Sequence, residues 1–184
     1  FAIHGVDSAF VERLRSAGYE RLLADDVVAA RIHGVHPEDP EEWMKLGYPR
    51  PSLEDLVAAR IHGVDPQFAA EIRAAGLNSS LEDLVGFRIH GVNAEYLREM
   101  KSLGVALSGD DATAFRIHGV TSELVREVQA LGYSNPEPDD LVSLRVHGIS
   151  VERVREANAR AGRRLPLEEV IDQQIYGNDE DDEE

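Results

Sequence analysis

Six histidines stand at a regular interval, His4, His33, His62, His90, His118 and His147, separated by 29, 29, 28, 28 and 29 residues. Five arginines, Arg31, Arg60, Arg88, Arg116 and Arg145, each precede one of them by two positions. Imidazoles at a fixed spacing suggest metal binding or a proton relay. One ligand per repeat is a poor metal site, however. Equivalent positions on packed helices lie roughly 10 Å apart, whereas zinc needs its ligands at about 2 Å. The histidines are therefore expected in the last turn of a helix, bonding free carbonyls or a neighbouring repeat. The arginines are expected to form a ladder with acidic pairs of adjacent repeats. An oxyanion-binding groove is the sharper alternative for them.

The acidic pairs Asp25/Asp26, Asp110/Asp111, Asp139/Asp140 and Glu168/Glu169 recur in phase. Calcium takes six to eight oxygens, but no D-x-D-x-D-G loop is present. A helix N-terminus accounts for such pairs. Weak Ca²⁺ binding by acidic residues, above all in the C-terminal run, is the only cofactor expectation. No G-x-S-x-G, no phosphate-cradling glycine loop and no nucleophile–base pair is found, so no enzymatic activity is expected. Asn78-Ser79-Ser80 fits a glycosylation sequon, a common chance match.

These residues belong to a pentad, Arg-Ile-His-Gly-Val, complete at Arg31–Val35, Arg60–Val64, Arg88–Val92 and Arg116–Val120. Variants stand at Ala2–Val6 and Arg145–Ile149, with an echo at Ile175–Gly177. A period of 28–29 residues marks a stacked repeat array. The repeats run over about 3–31, 32–60, 61–88, 89–116, 117–145 and 146–174, with the echo at 175–177. An acidic tail, 178–184, follows.

Each repeat reads as two helices. In the third, Asp65 is a good N-cap, Pro66 suits the first helical position, and Gly76 supplies a stop. Phe68, Ala69, Ile72 and Ala75 recur at helical spacing between them. Ser80-Leu81-Glu82-Asp83 then resembles a capping box, and Leu81, Leu84, Val85 and Ile89 form the expected buried stripe of the second helix. A strand over 87–92 is the competing reading. The run Val57-Ala58-Ala59-Arg60 at the equivalent place argues for helix. One such pair cannot bury enough surface to offset the entropy of ordering its chain, so neighbours must share stability. The expected fold is an all-α solenoid of six helix–turn–helix repeats over 1–177, followed by a disordered or mobile tail.

Repeat two departs from the rule. Pro40 prevents a helix beginning at His36, so Asp39 is expected to cap a shortened helix, with Glu42 closing a box. Trp43, the single tryptophan, lies just beyond. With His36 and Tyr48 it forms the candidate contact site, since aromatic anchors dominate interfaces. Trp43 could equally fill the gap left by the shortened helix. Repeat six carries an extra residue before Gly162, and Arg153 where others have Phe, Tyr or Leu.

The R-I-H-G-V units, with G-Y and D-D-L-V between them, resemble short tandem repeats of bacterial proteins, including tails of some regulator-type membrane metallopeptidases. The resemblance covers the chain up to Gly177 and implies no established activity. The metallopeptidase motif H-E-x-x-H is absent.

Net charge is −16. Such a balance repels nucleic acid and anionic membranes, and no apolar run approaches the roughly 18 residues of a membrane span. No nucleic-acid partner and no membrane insertion are expected. The chain has no cysteine, which removes disulfides without fixing the compartment.

The two ends are in phase. Phe1, Ile3 and Val6 at one end, and Val170, Ile171 and Ile175 at the other, are expected to present apolar faces able to continue the array from one molecule to the next. Head-to-tail contacts that do not close give filaments. The leading expectation is therefore a self-assembling structural subunit, a homopolymer at the cell surface or outside the cell, with the cytoplasm also open. The alternatives are a monomeric scaffold holding a protein or peptide on a concave face, or the regulatory tail of a larger protein.

Overall fold

The computed structural model describes residues 5–177. Among the described residues there are twelve α-helices and no strand. Six first helices are α1 (Ser8–Ser16), α3 (Asp39–Lys45), α5 (Pro66–Ala75), α7 (Ala94–Ser102), α9 (Ser122–Ala130) and α11 (Val151–Ala161). Six second helices alternate with them: α2 (Ala24–Ile32), α4 (Leu53–His62), α6 (Leu81–His90), α8 (Gly109–His118), α10 (Pro138–Val146) and α12 (Leu167–Tyr176). The fold is all-α and built on the repeat, with the 87–92 strand reading excluded. Phe1, Ile3, His4 and the tail 178–184 lie outside the described residues.

Local chemistry sets the helix starts. Asp7, Asp65, Thr121 and Ser150 accept from the backbone N–H three residues on, as N-caps of α1, α5, α9 and α11. Ser52, Ser80 and Ser108 begin α4, α6 and α8 with full capping boxes, closed by Asp55, Asp83 and Asp111. The shorter Asp side chain thus serves where Glu is usual.

In repeat two the boundary shifts by one. Asp39 is the first helical residue of the seven-residue α3 rather than its cap. Its carboxylate accepts instead from the His36 N–H at 2.9 Å. The expected box with Glu42 does not form.

The pentad ends the second helix. Gly63, Gly91 and Gly119 are left-handed, with φ of 67°, 76° and 69°. Beyond each glycine, the N–H of Val64, Val92 or Val120 donates at 2.8 Å to the carbonyl of Ala59, Phe87 or Phe115. Val35 and Ile149 do the same to Ala30 and Leu144. This is a Schellman stop, in which the residue after the glycine bonds and packs back on the last turn. Val64, Val92 and Val120, and their partners Ala59, Phe87 and Phe115, are all buried.

The chain divides into two compact units, Phe1–Asn93 and Ala94–Glu184. In the first, α2 packs on α4 and α4 on α6, around Leu14, Val27, Leu56, Ile72, Leu84 and Phe87. In the second, α8 packs on α10 and α10 on α12, around Met100, Phe115, Val128, Leu141, Leu144 and Val170. Successive second helices in contact are the packing of a helical solenoid.

Candidate interaction surface at the pentads

The pentad splits into residues with a structural task and residues without one. Glycine and valine make the helix stop. The arginine has a task too, but not the expected one. The guanidinium of Arg31 lies 5.2 Å from the Phe10 ring centroid, Arg88 3.8 Å from Phe68, and Arg116 5.0 Å from Tyr96. Each partner sits on the first helix of the same repeat. In repeat two Asp39 takes that position, and Arg60 donates to both its carboxylate oxygens at 2.9 Å. Leu124 takes it in repeat five, and there Arg145 donates to the Gly119 carbonyl at 2.8 Å.

Among the described residues no pentad arginine forms an ion pair with an acidic pair of a neighbouring repeat. In place of the ladder expected from the sequence, Arg31, Arg88 and Arg116 make cation–π contacts within their own repeats. The reason is distance: the acidic pairs occupy the first turns of the second helices, and the arginines the last.

The isoleucine is the unexpected residue. Ile32, Ile61, Ile89 and Ile117 are 55%, 54%, 55% and 54% exposed, and Val146 is 53% exposed. Ile89 therefore does not belong to the buried stripe of α6; Phe87 does, at 1% exposure. Two residues apart on a helix lie about 200° apart around its axis, so burying the residue before Arg turns Ile outward. The histidines beside them, His33, His62, His90, His118 and His147, are exposed as well. No hydrogen bond engages any of these imidazoles among the described residues, so the expected side-chain capping is not made. Each unit thus presents a row of apolar and imidazole side chains: Ile32, Ile61 and Ile89 in the first, Ile117 and Val146 in the second.

The opposite ends of the helix pairs are occupied differently. The Tyr19 hydroxyl donates to the Pro51 carbonyl at 2.8 Å, and that of Tyr133 to the Leu165 carbonyl at 2.8 Å. Arg73 donates to the Leu46 carbonyl and lies 5.1 Å from the Tyr48 ring centroid. Gln129 donates to the Leu103 carbonyl at 2.6 Å. Here one repeat is tied to the next. Burial pushes the Tyr19 phenol up to about 12, partly offset by Arg50. It does the same to Tyr96, partly offset by Arg116. The Tyr96 hydroxyl donates to the Val120 carbonyl at 3.0 Å.

Trp43, His36 and Tyr48 are not gathered into a contact site. Trp43 is 3% exposed and meets the half-buried Tyr48 edge to face, ring centroids 5.3 Å apart. It is a buried residue of the shortened α3 itself, and its burial removes it as an anchor. His36 is exposed, and no interaction joins its ring to either aromatic. Of the expected assembly residues, Val6, Val170 and Ile171 are buried within the chain, at 7%, 0% and 5% exposure. Ile175 packs against the core of the second unit. These four do not form free apolar faces: Val6 is buried, and Val170, Ile171 and Ile175 belong to or pack on the core of the second unit.

Among the described residues no group of three His, Cys, Asp or Glu side chains is placed to hold a metal ion. No helix there is long and apolar enough to cross a membrane. Comparisons with protein-family models, with curated proteins and with solved structures find no match for this chain.

Proposed function

We propose that this protein is a helical-repeat scaffold that binds a protein or peptide partner through the pentad isoleucines and histidines that each of its two units presents. One observation carries the reading: an isoleucine or valine stands about half exposed at the same position in five repeats, outside the core formed by the described residues. Single exposed apolar residues are ordinary. A periodic row of them, beside donors that are also unused, is the composition of a contact surface. The self-assembly expectation loses support from the burial of Val6, Val170 and Ile171.

Site-specific photo-crosslinking in the native host tests the proposal. A photoreactive residue at Ile61 or Ile117 is expected to capture the same discrete partner. One at Ala74 or Ala130, exposed near the far ends of α5 and α9, captures none. Equal capture from both edges, or capture only of further copies of this chain, overturns it.

A further inference from the structure

Resting on that reading, we infer that the second unit holds its partner through an aromatic side chain, received in a cleft of repeat five against the guanidinium of Arg145. The other repeats set the pattern. In repeats one, three and four the pentad arginine lies over an aromatic ring of its own first helix, Phe10, Phe68 or Tyr96. In repeat five Leu124 stands at that place. Among the described residues no ring lies against Arg145.

The guanidinium of Arg145 is nonetheless held in the stacking pose. Its Nε donates at 2.8 Å to the carbonyl of Gly119, the pentad glycine of the preceding repeat. Arg31 Nε makes the same bond, to Gly5 at 3.0 Å, while the guanidinium lies 5.2 Å from the Phe10 centroid. A backbone carbonyl therefore fixes the arginine in both repeats, and only repeat one supplies the ring.

A cleft of about 260 Å³ opens beside Arg145, with apolar walls from Leu124, Leu144, Ile149 and Val151. A cavity of roughly 150 Å³ accepts benzene, so one phenyl or phenol ring fits. Glu127 also lines the cleft. One carboxylate against one guanidinium leaves the lining without net charge. The adjoining Glu123 and Glu152 are each paired with an arginine, Arg126 and Arg155. An ion of either sign would meet a like charge there. A neutral ring can offer its negative face to the guanidinium and its positive edge to the carboxylate.

Repeat two, within the first unit, gives the contrast. It also lacks the aromatic, and a cleft of about 150 Å³ lies beside Arg60. There Arg60 already donates to both carboxylate oxygens of Asp39. The carboxylate takes the place of the ring, so the inference is confined to repeat five.

Amide NMR titration of the nitrogen-labelled full chain tests it with two neutral probes, N-acetyl-phenylalaninamide and its saturated analogue N-acetyl-cyclohexylalaninamide. The aromatic probe is expected to shift the amides of Gly148, Ile149 and Val151 saturably at millimolar concentration. It should bind about threefold tighter than the saturated probe, the scale of an exposed cation–π contact. Leu124→Phe supplies a ring from within the chain, as Phe10 and Phe68 do, and should weaken the aromatic probe about tenfold or more. Arg145→Gln should erase the preference between the probes, with helicity by circular dichroism unchanged. Equal affinity for the two probes, no saturable shift, or undiminished binding in a folded Leu124→Phe chain overturns the inference. Photo-crosslinking from Ile117 keeps the two readings apart. A chain that captures a discrete partner there but binds neither probe keeps the scaffold and loses the aromatic cleft. One that prefers the aromatic probe but crosslinks nothing loses the scaffold, and the inference about its partner with it.

Discussion

The two edges of the helix pairs are built on opposite principles. At the connector edge the residue after the helix-ending glycine varies: Tyr19, Tyr48, Leu77, Val105, Tyr133 and Arg163. Yet this is where hydroxyls and guanidinium groups tie one repeat to the next. At the pentad edge the chemistry hardly varies, and the isoleucine and histidine bind nothing. Cohesion therefore tolerates many solutions, while uniformity is kept where the molecule itself makes no demand. A periodic residue is not thereby a structural one; exposure separates the two cases.

The largest effect is expected from the pentad's buried side. Phe115, the residue before Arg116, is 0% exposed, and Phe115→Ala should cost about 3–5 kcal/mol. The second unit shares its core among three helix pairs, so denaturant unfolding should show the whole unit weakened rather than one repeat. Next comes the helix stop. Gly63 has φ of 67° and nothing within 4 Å of an added Cβ. Gly63→Ala thus isolates the backbone cost of the left-handed conformation, about 1–2 kcal/mol. A loss of less than half that in urea melts would show that the stop is not held as described.

Much of this fold is legible from one sequence, because several local rules agree in each repeat. Ser80 with Asp83, Asp65 with Pro66 and the closing glycines each mark a boundary by a different mechanism. Their common phase leaves little room for another architecture. The candidate surface was not legible in the same way. Ile89 follows Leu84 and Val85 at a plausible helical spacing, and only the packing shows that Phe87 is the residue taken inside. The arginine stacking was hidden for a related reason. Its partners Phe10, Phe68 and Tyr96 lie 20 or 21 residues upstream, on another helix, where no local periodicity connects them. A signal was present, since Asp39 replaces the aromatic at the same offset and meets Arg60 with a carboxylate.

Alkali probes the buried phenols that help hold the repeats. The Tyr19 and Tyr96 phenols, raised by burial to about 12 in the folded chain, ionise near 10 when unfolded. The folded state then binds more protons over that window. Their contribution is complete below pH 10 and is lost as the pH rises towards 12. Tyr96→Phe should flatten this decline in stability–pH profiles. The acidic side gives the converse case. Asp140 is raised by burial and by Glu168, Glu137 and Asp139, so its charge opposes folding at neutral pH. The start of α10, where it lies, offsets part of that cost. Asp140→Asn is expected to stabilise slightly at pH 7, with the gain disappearing once the pH falls below the ordinary carboxylate range.

The smallest effect on stability is the one that sharpens the contrast most. Ile61→Ser and Ile117→Ser replace half-exposed side chains that meet no partner, and each should alter unfolding free energy by less than about 0.5 kcal/mol. Serine has a somewhat lower helix propensity than isoleucine at most, so even the backbone term is minor. Set beside Phe115→Ala, two positions before Ile117, Ile117→Ser separates a residue kept for packing from one kept for contact. Should Ile117→Ser destabilise the second unit as much as a core truncation does, the isoleucine has a structural task after all, and the case for the pentad row as a binding surface goes with it.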